Sequence, residues 1–167
     1  MNINLEMEAE TMEITATAKS GFTGVGFTKT VTFEEAHAKK LHGVILQLKK
    51  RYRQIIGVKD DRGMWAISKH FGEEQFDFCI LMETDGLPEV LPAGMISFQV
   101  PPLTYAYARH PQDENPEATY RNVYQWIKAN GFQLNDKAFT HMEFYPIDQD
   151  LSAPEFDIYV PIIRSPH

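Results

Sequence analysis

The sequence predicts an α+β domain made of two βαββ repeats. They are related by pseudo-twofold symmetry, with helices on one face of an antiparallel sheet and a ligand groove on the other. Two observations carry this. Two one-sided helical patterns are each bracketed by strand-like runs, so the order β, α, β, β occurs twice. The halves also align in detail. Phe76-Asp77-Phe78 recurs as Phe156-Asp157-Ile158, and Val44, Ile45 and Leu48 recur as Val123, Tyr124 and Ile127, all at an offset near eighty.

Taken in order, residues 1–12 form a polar lead-in carrying Glu6, Glu8 and Glu10, which reads as a tail. The single domain spans 13–167, with repeat one at about 21–85 and repeat two at about 95–163. The first strand runs from Phe22 to Thr30. Gly21, Gly24 and Gly26 at its start resemble a phosphate loop, but Phe27 and not Lys-Ser/Thr directly follows Gly26, so they read as a bulge or bend. Thr32 with Glu35 is a capping box, and Leu41, Val44, Ile45, Leu48 and Tyr52 continue a helix that Gly57 stops. Strands follow at Met64 to His70 and Phe76 to Glu83, and a Pro-containing link from Gly86 to Gly94 joins the halves.

The second half opens on Met95 to Arg109, broken at Pro101-Pro102. Asn115 then caps a helix with Pro116 in its first position. Its apolar stripe is Tyr120, Val123, Tyr124 and Ile127, and Asn130-Gly131 ends it. Strands at Phe139 to Tyr145 and Phe156 to Ile163 close the repeat.

Charge narrows the function. Sixteen basic against 23 acidic residues leave −7, which disfavours direct contact with nucleic acid, where phosphate neutralisation dominates, and would attract cations instead. One cysteine, Cys79, forms no internal disulfide, and the cytoplasm is the expected compartment. No apolar run reaches the length of a membrane span. The histidines are scattered without nearby cysteines, so neither a metal nor another cofactor is expected. There is no Gly-x-Ser-x-Gly elbow, and Cys79 has no adjacent histidine, which disfavours nucleophilic catalysis.

Glu143 is the residue that most invites a functional reading. Alternation places Phe139, His141, Glu143 and Tyr145 on one face of their strand and Thr140, Met142 and Phe144 on the other. A carboxylate among rings is costly unless it faces solvent or has a partner. Tyr105 and Tyr107 share a face with Arg109 and would form a flat amphipathic wall. With Trp65, they complete the expected ligand-binding set of Glu143, Tyr145, His141, Tyr105, Tyr107 and Trp65. A carboxylate beside aromatic walls suits a planar or amphipathic cation.

Val100-Pro-Pro-Leu-Thr-Tyr-Ala-Tyr-Ala-Arg-His110, Trp126-Ile-Lys-Ala-Asn-Gly131, Met142-Glu-Phe-Tyr-Pro146 and Phe156-Asp-Ile-Tyr-Val-Pro-Ile162 together resemble the GyrI-like domain. That domain is the effector-binding part of many AraC- and MerR-type regulators and also occurs free-standing. The resemblance, from about Gly21 to Ile163, implies a two-repeat βαββ fold whose central groove binds lipophilic, often cationic compounds through a pocket glutamate, here Glu143. No helix-turn-helix precedes the domain, so the expected role is a free-standing sensor, a sequestering protein or the partner of a separate regulator. Arg109-His110-Pro111 lacks the glycine that often follows this strand in relatives. Two alternatives stay open: a hydrolase of small electrophiles with Glu143 as general base and a tyrosine as acid, and a protein-interaction module like the relatives that inhibit DNA gyrase.

Overall fold

The computed structural model describes residues 13–37, 40–148, 152 and 154–166. The acidic lead-in at 1–12 lies outside them. Strands are β1 (Thr15–Lys19), β2 (Phe22–Thr32), β3 (Val58–Phe71), β4 (Gln75–Thr84), β5 (Ile96–Val100), β6 (Leu103–His110), β7 (Phe132–Leu134), β8 (His141–Pro146) and β9 (Phe156–Arg164). Helices are α1 (Phe33–His37), α2 (Lys40–Arg51) and α3 (Pro116–Ala129), with a 3-10 turn at Tyr52–Gln54. None of the described helices is long and apolar enough to cross a membrane.

The helix ends follow their local chemistry. Glu35 N–H donates to Thr32 Oγ1 at 3.0 Å and Thr32 N–H to Glu35 Oε1 at 2.9 Å, the reciprocal pair of a capping box. Asn115 Oδ1 accepts from Glu117 N–H at 2.9 Å ahead of Pro116. Gly131, at φ 80°, turns the chain out of α3 in a conformation that other residues seldom adopt.

Eight strands lie in the order β1-β6-β9-β8-β3-β4-β2-β5, and β7 adds to β9. Every pairing is antiparallel. Read outward from the central β8–β3 pair, β9 matches β4, β6 matches β2 and β1 matches β5. That is the expected pseudo-twofold symmetry, with one addition. The strands β1 and β5 begin at Thr15 and Ile96, 81 positions apart, and each pairs with the other half: β1 on β6 and β5 on β2. Each βαββ unit is thus preceded by a strand that it lends to its counterpart.

Both faces of the sheet are buried over much of their area. On the helix side, Val44, Ile45 and Leu48 of α2 cover Phe27, Phe78, Ile80 and Met82, while Val123 and Ile127 of α3 cover Ala106, Ala108, Ile158 and Val160. The opposite side carries Trp65, Ile67, Leu81, Tyr105, Phe139 and Met142. The glycines of β2 do not mark a bulge, since β2 and β4 stay in register from Thr23↔Thr84 to Thr32↔Gln75. They allow close approach instead: a Cβ on Gly26 would sit 1.9 Å from the Ile80 carbonyl oxygen. The register shifts fall in β3, between Val58 and Trp65.

Candidate ligand groove

Central pairing decides what surrounds Glu143. Strand β8 lies between β3 and β9, so Glu143 sits beside Ala66 on one side and Ile158 on the other. Ala66 is small and leaves room above the carboxylate. Strand alternation carries His141, Glu143 and Tyr145 to the helix face, under the N-terminal half of α3.

Tyr120 of α3 reaches down and donates its hydroxyl to Glu143 Oε2, while Tyr145 donates to Oε1 at 2.9 Å. The partly buried carboxylate is therefore held from both sides by neutral donors. Among the described residues no ion pair reaches it. Burial pushes its pKa above the usual glutamate value, and the two tyrosine hydrogen bonds oppose that shift. Burial and the neighbouring carboxylate hold both phenols well above their ordinary value, so they act as donors and not as acids near neutrality.

These groups face a cavity of about 520 Å³ between α1–α2 and α3 on the helix side of the sheet, also walled by Phe33, Ile45, Phe76 and Phe78. Among its described lining residues are two carboxylates, Glu117 and Glu143, and no Lys or Arg. His141 lies tilted against Tyr120 with ring centroids 4.9 Å apart and meets His70 edge-on at 5.4 Å. Burial lowers both histidines, His141 to about 3, so they stay uncharged at neutral pH and add no positive charge beside Glu143. Among the described residues, no group of three or more His, Cys, Asp or Glu is placed to hold a metal ion.

The sequence-derived set divides here. Glu143, Tyr145 and His141 come together, but Trp65, Tyr105 and Tyr107 lie on the opposite face of the sheet. Trp65 is wedged among Phe22, Phe144 and Tyr159 under the Lys19 ammonium, Tyr105 is buried against Phe139, and Tyr107 donates to Asp157 at 2.7 Å. The groove likewise lies on the helix side of the sheet and not on the other face, because the two helices straddle the β8–β3 centre and leave a gap between them. Phe139 is also on the far side. It precedes the paired part of β8, so alternation does not extend back to it. Tyr120 and His70 belong to the groove without having been singled out. Its place as one of two phenols in the helix stripe was the available signal for Tyr120, since a polar tip there needs a partner.

Residues 16–162 match the family model described as integron-associated effector binding protein. Solved structures with the same fold include an integron cassette protein of Vibrio cholerae, with TM-score 0.61 at 13% identity over 91% of this chain and 97% of the other. The structure of SAV2435 bound to tetraphenylphosphonium has TM-score 0.63 at 16% identity over 91% and 94%. The EcmrR C-terminal domain has TM-score 0.66 at 12% identity over 92% and 98%. No curated protein sequence matches the chain significantly.

Proposed function

We propose that this chain, which belongs to the Cass2 family of integron-associated effector-binding proteins and has the GyrI-like effector-binding fold, captures lipophilic or amphipathic cations in the groove over Glu143. Small-molecule binding fits both the family and the groove. The observation that carries the cationic reading is the Glu143 carboxylate, partly buried, fixed by Tyr120 and Tyr145 and, among the described residues, without a Lys or Arg in the cavity lining beside it. An uncompensated buried charge is costly, and a ligand cation supplies the missing counter-charge while aromatic and aliphatic walls take up its apolar surface. One neighbour of the same fold is described as bound to tetraphenylphosphonium, a cation of this class. Such a groove suits a ligand sensor, a sequestering protein or the ligand-reading partner of a separate regulator.

Calorimetric titration with tetraphenylphosphonium and with neutral triphenylphosphine oxide tests this. The wild type should prefer the cation, and Glu143→Gln should weaken its binding by about 2 kcal/mol, roughly thirtyfold. Equal affinity of wild type and a folded Glu143→Gln protein for tetraphenylphosphonium would end the proposal. Catalytic loss of an added electrophile, abolished in the same variant, would move the reading to hydrolysis.

A further inference from the structure

The groove does not end at Glu143. A trough of about 700 Å³ runs along the exposed side of α3 and shares His70, Pro116, Glu117, Tyr120 and His141 with the inner cavity. Its outer wall is built by Arg121, Tyr124, Gln125 and Lys128. These recur at helical spacing, so they form one stripe on the side of α3 that borders the groove.

Charge changes sign along this path. The inner cavity has carboxylates and no Lys or Arg among its described lining residues, whereas the trough brings in two cations, Arg121 and Lys128. Neither is in an ion pair among the described residues. Lys128 also lies in the last turn of α3, where a cation complements the helix dipole, but Arg121 stands mid-helix and has no such role. Both can lay their alkyl stems along the wall while the charged heads stay at the rim. Lys128 is eight residues beyond Tyr120, about 12 Å along the helix axis.

We propose that the ligands this groove takes best are aromatic zwitterions. In such a ligand a cationic centre meets Glu143, a flat apolar body lies against Tyr120 and Tyr124, and a carboxylate or similar anion meets Arg121 and Lys128. This rests on the cation-binding reading of Glu143 and adds a second, opposite charge about one ring system away. A simple lipophilic cation satisfies only the inner end, so Arg121 and Lys128 select between cations of similar size and apolar area.

Rhodamine 123 and rhodamine 110 form a matched pair, since they share one cationic ring system and differ by a methyl ester against a free carboxylate. Fluorescence anisotropy should show rhodamine 110 bound about fivefold more tightly at low ionic strength, as expected for a solvent-exposed ion pair. That ratio should fall toward one in Arg121→Gln/Lys128→Gln and in high salt. Circular dichroism checks that the double variant is folded. A ratio of one or less in the wild type, or an unchanged ratio in the double variant, overturns the inference. The outcomes separate the two levels of the argument. If both dyes bind in a Glu143-dependent way with no preference, the cation site stands and the zwitterion inference fails; if Glu143→Gln leaves both affinities unchanged, the cation site itself fails.

Discussion

Glu143 is placed where binding and stability pull apart. Its folded-state pKa is raised by burial, so its stabilising contribution is fully present below the ordinary glutamate value and is lost as pH rises through the raised one. Above the ordinary glutamate value this burial burdens the free protein, and a bound cation offsets that burden. Glu143→Gln should therefore melt higher than wild type near pH 7 without ligand, and the gap should close on acidification; thermal scans across pH, with a constant gap as the contrary result, decide it. His141 works in the opposite sense. With its pKa lowered from 6.5 to about 3, it favours the folded state above 6.5, and that contribution is lost as pH falls from there toward 3. His141→Asn should flatten this acid-side decline in urea unfolding, provided the slope is not carried by His70 and His110, whose values burial also lowers. Tyr107, on the far face, gives the complementary expectation. Tyr107→Phe removes a hydrogen bond to Asp157 and should cost about 1 kcal/mol of stability, while tetraphenylphosphonium affinity stays at the wild-type level.

Among the elements, α3 connects fold to site most directly. It is anchored by Asn115 at one end and turned out by Gly131 at the other, and between them it buries Val123 and Ile127 while offering Tyr120 to Glu143. Asn115→Ala should lower stability by about 1 kcal/mol. Because Tyr120 lies about one turn beyond the cap, cation affinity should fall with it; a variant destabilised but with unchanged affinity would show that Tyr120 is held by the sheet alone. The helical segments were legible in the sequence because caps and apolar spacing are local signals, although α1 and α2, which end at Arg51 before a 3-10 turn, read as one helix running to Gly57. The capping box at Thr32 and Glu35 and the Asn115 cap both form as read. Strand β1 was not legible. Thr-Ala-Thr-Ala-Lys has small side chains with little polar contrast, and an exposed edge strand needs no apolar face of its own. The three residues of β7 are too few to show a period.

At the scale of the whole molecule, the exchanged edge strands tie the halves together. Lys19 at the end of β1 rests over the rings of Trp65 and Tyr159, one from each half. Removing residues 1–20 should strip the edge of β6, lower the unfolding midpoint and promote association through the uncovered strand, read by chemical unfolding and size-exclusion chromatography. Gly26→Ala, which sets a methyl group against the Ile80 carbonyl at the β2–β4 crossing, should cost about 3 kcal/mol.

The sequence alone determined the repeated β, α, β, β order, the helix caps at Thr32 and Asn115, the exit at Gly131, and the fact that His141, Glu143 and Tyr145 share one strand face, because each of these depends on a period or cap a few residues long. Only the tertiary structure decided which face that is. The alternation of β8 says nothing about the phase of β3 or β6, which were free to turn Trp65, Tyr105 and Tyr107 either way until lateral pairing aligned them. Register put Ala66 beside Glu143 and sent those three aromatics to the opposite side. The packing of α3 over the central pair then gave the carboxylate its second tyrosine and placed the groove between the helices.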